Sequence, residues 1–153
     1  MHAIDRIVRL CVAILRFLDT LSPAVDLLVR LWLAQVFWRS GVVKLSSWST
    51  TLMLFEYEYH VPLLPPEVAA VLATAVELSG AALLALGLGA RVGTAALLIL
   101  NVTAAISYPD LSESGLRDHY FWGILLLVFL VHGPGRLSLD HLLRARVYKR
   151  SVN

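Results

Sequence analysis

The chain has 153 residues, 58% of them hydrophobic, and a mean hydropathy of +0.73, far above that of a soluble domain of this length. Its formal net charge is only +2, and Cys11 is its one cysteine, which excludes an intrachain disulfide and any two-thiol redox motif. The sequence contains no Gly-rich phosphate loop and no nucleophile elbow. These features predict a membrane protein.

Residues 1–22 are predicted to form an amphipathic helix that lies on the membrane surface. Its basic face holds His2, Arg6, Arg9, Ala13 and Arg16, and its apolar face holds Ile7, Leu10, Cys11, Ile14 and Leu18. Such a pair of faces is typical of an interfacial helix on an anionic inner leaflet. Because two arginines interrupt the apolar run, we do not expect a cleaved signal peptide.

Four apolar tracts follow, and each is close to the roughly 20 residues that a membrane-spanning helix needs. They are residues 24–43, 68–87, 91–108 and 119–133. Prolines and glycines mark the tract ends. The sequence therefore predicts an all-α membrane four-helix bundle, with the four-helix domain at residues 23–135 and a basic tail at 136–153.

The loop between the first two tracts is predicted to contain a short helix on the outer face. The spacing of its aromatic and apolar residues puts them on one helical face, and Pro62 would end the helix. This face consists of Trp48, Leu52, Phe55 and Tyr59. It favours either an aromatic anchor at the headgroup level or a lid over a pocket in the bundle.

Basic residues predict the orientation, because cytoplasmic loops are enriched in lysine and arginine. One set of connections carries Arg6, Arg9, Arg16, Arg91, Arg136, Arg144, Arg146, Lys149 and Arg150. The opposite loops hold Lys44 and Arg117 but are rich in acid, with Glu56, Glu58, Glu67, Asp110, Glu113 and Asp118. Both termini are therefore predicted to be cytoplasmic.

Glu77 is the most informative residue, because a charge at the centre of a membrane helix costs roughly 2.5–3.5 kcal/mol. It lies in a stripe of small residues that predicts close helix packing toward the bundle interior, formed by Ala70, Ala73, Thr74, Glu77, Gly80 and Ala81. Candidate partners are Arg30 and Lys44 on the first tract and Asn101 on the third. Arg30 is expected to reach Glu77 with its long side chain.

Two interpretations of these polar residues stay open. In one, Arg30, Glu77 and Asn101 form a hydrogen-bonded group that fixes helix register. In the other, Arg30, Lys44, Glu77 and Asn101 line a cavity that holds a polar headgroup, such as a quinone carbonyl, or passes a proton. We assign no catalytic residue. We also expect no haem, because His119 and His132 lie too far apart along one helix, and no metal, because ligand spacing is lacking.

Three stretches resemble the DoxX family of small bacterial inner-membrane proteins. In LLVRLWLAQVFWRSGVVKL (27–45), Arg30, Gly41 and Lys44 match. In VELSGAALLALGLGAR (76–91), Glu77, Gly80, Gly87 and Arg91 match. In HGPGRLSLDHLL (132–143), the closing signature is matched by Gly133, Pro134, Gly135, Ser138 and Asp140.

The resemblance implies four membrane helices and a role near quinone or redox chemistry, similar to subunits of a thiosulfate:quinone oxidoreductase. We expect an accessory or quinone-interacting subunit of a membrane oxidoreductase complex, whether or not it is itself an enzyme. Its expected partners are membrane lipid and a redox-protein chain, with self-association left open and nucleic acid excluded. The alternatives are a small-molecule or proton carrier that uses Arg30 and Glu77, and a purely structural scaffold.

Overall fold

Helix α1 runs without interruption over His2–Ser46 in the computed structural model, which describes residues 2–151 and the side chains of residues 6–146. Its 45 residues correspond to about 67 Å, more than twice the thickness of a bilayer core. Pro23 lies inside this helix, so the predicted helix boundary between residues 22 and 23 is wrong. The physical reason is that a proline removes a single backbone hydrogen bond, and the chain on both sides remains helical.

Helix α2 (Trp48–Tyr57) follows after a single turn residue, and α3 (Pro66–Leu86) follows a loop. Phe55 of α2 is buried in a cluster with Ala69, Ala70 and Ala73 of α3, and Trp48, Leu52 and Tyr59 pack against that cluster. The predicted aromatic face of residues 48–59 therefore rests on α3.

Helices α4 (Ala90–Ser107) and α5 (Glu113–His132) follow through short connections, and α6 (Leu139–Ser151) closes the chain. Ser112 caps α5 by accepting a hydrogen bond from the backbone N–H of Gly115. Helix α5 therefore begins at Glu113, six residues before the predicted start of the fourth tract. Parts of two predicted segments lie outside the described side chains: His2 of the basic face, and Lys149 and Arg150 of the tail.

Helices α1 and α3 pack antiparallel, and two glycines fix their register. A Cβ at Gly41 would lie 3.2 Å from the Cβ of Glu77, and a Cβ at Gly87 would lie 2.8 Å from Nη1 of Arg30. Gly41 is therefore level with Glu77, and Arg30 is level with Gly87. The N-terminal part of α1 consequently extends beyond the end of α3.

The core lies where α3 packs between α1 and α4, and α4 packs against α5. Its fully buried members are Leu33, Leu84, Leu97 and Leu126. The whole predicted small-residue stripe of α3 is buried, which confirms that it faces other helices rather than lipid. Gly80 and Gly93 let α3 and α4 approach closely, because a Cβ on either would lie 3.2–3.3 Å from a backbone oxygen of the other.

Three helices in the described part of the chain are long and apolar enough to cross a membrane. They are Pro66–Leu86, Ala90–Ser107 and Glu113–His132. Many of their outward-facing side chains are large and apolar, such as Val71, Ile99 and Ile124. A surface of this kind is typical of a protein whose surroundings are lipid.

Candidate functional site

A cavity of about 560 Å³ lies between α1, α2, α3, α4 and α5, and it is the candidate site. Most of its wall is apolar and includes Phe37, Phe55, Leu72, Leu100 and Trp122. The polar groups are few and come from separate helices: Ser40, Lys44, Tyr59, Glu77, Asn101, Thr103 and His119. A mostly apolar cavity of this volume with a few polar groups is typical of a small-molecule site.

An ion pair joins α1 to α3 at the cavity wall. Nζ of Lys44 lies 2.7 and 2.9 Å from the two carboxylate oxygens of Glu77, and it donates to Oγ of Ser40 at 2.9 Å. Ser40 in turn donates to Oε1 of Glu77 at 3.0 Å. The side chain of Glu77 is 9% exposed and that of Lys44 15% exposed. The charge of Glu77 is therefore neutralised inside the helix bundle, as the cost of an isolated charge there requires.

A second polar pair joins α4 to α5. Nδ2 of buried Asn101 donates to the backbone oxygen of His119 at 2.9 Å, and Oδ1 of Asn101 lies 2.8 Å from Nδ1 of His119. Gly123 gives Asn101 room at this contact, because a Cβ there would lie 3.3 Å from Nδ2. The ring of His119 also meets Trp122 edge-on at 5.2 Å. Asn101 thus holds the imidazole in one orientation at the cavity wall.

Tyr59 lines the end of the cavity nearest α2. It stacks on Phe55 with ring centroids 4.9 Å apart and lies beside Tyr108 at 5.1 Å. Burial raises the pKa of Tyr59 above its ordinary value, and the charge of Glu77 raises it further. Its hydroxyl is therefore protonated at neutral pH and can donate to a ligand.

Three of the four predicted site residues line this one cavity, namely Lys44, Glu77 and Asn101. Arg30 does not, and the expectation that it reaches Glu77 is wrong. Arg30 lies eleven positions from Gly41 along α1, and hence about 16 Å from the level of Glu77 at 1.5 Å per residue.

Arg30 instead binds the segment that follows α5. It is 2% exposed and donates from Nη1 to the carbonyl of Pro134 and from Nη2 to that of Leu137 at 2.8 Å. Its Nε is buried and has no hydrogen-bond partner among the described residues. Gly87, in the left-handed conformation with φ +64°, leaves the space that the guanidinium occupies. Arg30 therefore holds the Gly133–Gly135 turn against α1 and α3.

Asp140 completes this end of the fold. It lies in the first turn of α6, and its carboxylate caps α4. Its two oxygens accept from the backbone N–H groups of Gly89 at 2.8 Å and Ala90 at 3.1 Å. Ser138 accepts from the N–H of His141 at 3.2 Å, as a residue that caps α6 should.

Sequence reasoning missed Ser40 and the pairing of His119 with Asn101. Ser40 lies one turn before Lys44 on α1, so its spacing was available as a signal. Nothing in the sequence alone relates position 119 to position 101, because the depth at which two antiparallel helices meet depends on packing.

A family model described as DoxX matches residues 25–109, more than half of the chain. The matched region contains Arg30, Lys44, Glu77 and Asn101. No curated protein and no solved structure matches the chain.

Proposed function

Because the chain belongs to the DoxX family, we propose that it is an accessory membrane subunit that binds a quinone-like molecule in the cavity between α1 and α5. The observation that carries this proposal is the cavity itself. An apolar wall suits a hydrophobic aromatic ring, and the few polar groups at that wall, among them the hydroxyls of Tyr59 and Thr103, suit the oxygen atoms that such a ring carries. A redox-protein partner chain would exchange electrons with the bound molecule.

The proposal includes a position in the membrane. We place α3, α4, α5 and the part of α1 around residues 24–43 across the bacterial inner membrane as a four-helix bundle, with both termini cytoplasmic. The N-terminal part of α1 would then lie along the inner surface, since Pro23 gives the helix a point at which to bend. Its exposed Ile7, Ile14 and Phe17 favour contact with lipid.

The carrier alternative is less favoured by the geometry. It depends on Arg30 and Glu77 acting together, whereas buried apolar residues lie at the levels between them, among them Leu33, Phe37, Ala81 and Leu84. A proton or a polar solute would have to cross this layer. Flux through proteoliposomes that contain the purified chain alone would favour the carrier over the binding subunit.

Ligand binding is tested by thermal unfolding of the purified protein with a short-chain quinone such as ubiquinone-1. A ligand at 100 times its dissociation constant stabilises the folded state by about 2.7 kcal/mol, which shifts the midpoint by several degrees. Ala73→Phe should abolish the shift, because residue 73 lines the cavity and the larger ring would occupy it.

Val71→Phe is the matched control, because Val71 lies on the same helix, is 53% exposed and does not line the cavity. It should keep the shift. If ubiquinone-1 shifted the thermal midpoint of neither the wild type nor Val71→Phe, binding in this cavity would be contradicted. An equal shift in Ala73→Phe would contradict it as well.

A further inference from the structure

We propose that the cavity prefers a hydroxyl-bearing, reduced ligand, a quinol, to the corresponding quinone. This inference rests on the proposed function and adds the chemical form of the ligand. It follows from which hydrogen-bonding groups at the cavity wall are already paired and which are left to meet a ligand.

Lys44 has no proton left to offer. An ammonium group carries three N–H donors, and Lys44 makes three contacts, to Oγ of Ser40 and to both carboxylate oxygens of Glu77. The Ser40 hydroxyl proton is directed to Glu77 as well. The carboxylate of Glu77 accepts these three bonds and has about four lone-pair sites. What the ion pair presents to a ligand is therefore an acceptor and not a cation.

His119 also presents an acceptor, because Asn101 fixes its tautomer. A backbone oxygen can only accept, so the Asn101 atom that meets the carbonyl of His119 must be the amide nitrogen. The other amide atom is then the oxygen, which can only accept from Nδ1 of His119. In the neutral ring with the proton on Nδ1, Nε2 carries a lone pair.

The remaining polar groups at the cavity wall do not reverse the excess of hydrogen-bond acceptors over donors. The hydroxyls of Tyr59 and Thr103 can each donate or accept, so they serve either form of the ligand. A quinol offers two O–H donors that suit Glu77 and Nε2 of His119. A quinone carbonyl only accepts, and it would leave both of these acceptors unpaired.

The preference is tested with the full chain in lipid nanodiscs, using ubiquinol-1 under anaerobic conditions, ubiquinone-1, and the dimethyl ether of ubiquinol-1. Binding is followed through tryptophan fluorescence, since Trp122 lines the cavity. We expect the quinol to bind about threefold to tenfold more tightly than either other ligand for each acceptor that it satisfies. The ether separates hydrogen-bond donation from ring shape.

His119→Asn removes the acceptor Nε2, to which the quinol would donate. Asparagine can place an N–H donor near the position of Nδ1 and so keep the bond to Asn101, but it has no counterpart of Nε2. The variant should lose about threefold to tenfold of the quinol preference, measured as the ratio of the dissociation constants of ubiquinone-1 and ubiquinol-1. His132→Asn, the same change at an exposed position of α5 outside the cavity, should leave the preference intact.

The outcomes separate the two proposals. Equal or tighter binding of ubiquinone-1 would overturn the preference and leave quinone binding in place. Full retention of the preference in His119→Asn would overturn its assignment to Nε2 of His119. Binding of none of the three ligands would overturn both the preference and the proposed function.

Discussion

At the scale of single residues, the fold depends on how Glu77 is kept from being an isolated charge. Its carboxylate accepts from Lys44 and Ser40, both on α1, and all three groups line the cavity. The pair therefore fixes the approach of α1 to α3 at the same place where a ligand would bind. Structural and binding roles are both compatible with this position.

Glu77→Gln should destabilise the protein by about 3 kcal/mol, because it leaves the ammonium of Lys44 largely buried without a countercharge. The measurement is unfolding in denaturing detergent followed by circular dichroism. A double variant, Lys44→Met with Glu77→Leu, should recover most of the loss, because no charge is then left unpaired.

Glu67→Gln provides the matched control for this change. Glu67 lies in the exposed first turn of the same helix, and its loss should alter stability by no more than about 0.5 kcal/mol. If Glu77→Gln proved as mild as this control, the ion pair would contribute little to the fold.

Tyr59 and Tyr108, which lie near α2, should lose their phenolic protons at a higher pH than an ordinary tyrosine. The hydrogen bond and charge of Glu58 raise the pKa of Tyr108, whereas the pKa of Tyr59 is raised first by burial. A raised pKa means that the folded state favours the neutral phenol. This stabilisation is complete below the ordinary tyrosine pKa and is lost as the pH rises through the raised value.

Glu58→Gln should therefore lower the titration midpoint of Tyr108 and change that of Tyr59 much less. Phenolate absorbance measures both midpoints, and Tyr108→Phe assigns the signals. Glu56→Gln, an exposed acid on the neighbouring helix α2, should move neither midpoint. Equal shifts for the two tyrosines would contradict burial as the dominant cause at Tyr59.

The polar residues could be predicted from sequence as a set, but their partners could not. Helical periodicity places Lys44, Glu77 and Asn101 on inward faces, and all three do line the cavity. Periodicity says nothing of the depth at which antiparallel helices meet. For that reason Arg30 was expected beside Glu77, whereas the glycine contacts put it level with Gly87.

At the scale of elements, the connection between α3 and α4 carries two glycines with different constraints. Gly87 and Gly89 both have positive φ, +64° and +52°. A Cβ on Gly87 would lie 2.5 Å from the Cβ of Ser138 and 2.8 Å from Nη1 of Arg30, whereas a Cβ on Gly89 meets nothing within 4 Å. The two positions therefore separate backbone strain from steric conflict.

Gly89→Ala should cost about 1 kcal/mol, the cost of a left-handed conformation for alanine. Gly87→Ala should cost a further 1–3 kcal/mol or so, because the methyl group displaces Arg30 or the 134–138 segment. Thermal unfolding measures the difference, and faster tryptic cleavage at Arg136 would report release of that segment. Equal losses of stability in the two variants would show that Arg30 and Ser138 can move away from the added methyl group at no cost in free energy.

The helices were easier to predict than their junctions. The second and third tracts agree with α3 and α4 to within two residues, because apolar runs bounded by proline and glycine mark both ends. The continuity of α1 was not predictable in this way. Pro23 is compatible with both a break and a helix interior, and only the surrounding structure decides between them.

At the scale of the whole molecule, the two ends differ in charge. Arg30, Arg91 and the Gly133–Gly135 turn meet at one end, where Arg91 donates to the carbonyl of Val131 at 2.9 Å. At the other end, Tyr108 donates to Glu58 at 2.8 Å, and the N–H of His60 donates to the carbonyl of Ser107. The proposed orientation puts the first end in the cytoplasm, in accordance with the excess of basic residues there.

The single cysteine tests this orientation directly. Cys11 is exposed in the structure and belongs to the N-terminal part of α1. In intact spheroplasts a membrane-impermeant maleimide should not label Cys11, and after detergent lysis it should. Leu63→Cys in a Cys11→Ser background should react before lysis, because residue 63 is fully exposed in the loop between α2 and α3.

The Cys11→Ser protein without a new cysteine gives the background of this experiment. Because the basic N-terminal segment and the acidic α2–α3 loop are predicted to lie on opposite sides, the two labelling patterns must be complementary. If Cys11 were labelled in intact spheroplasts and residue 63 were not, the orientation would be the reverse of the one proposed. The cavity near α2 would then lie in the cytoplasmic half of the membrane, and a redox partner would be sought on that side.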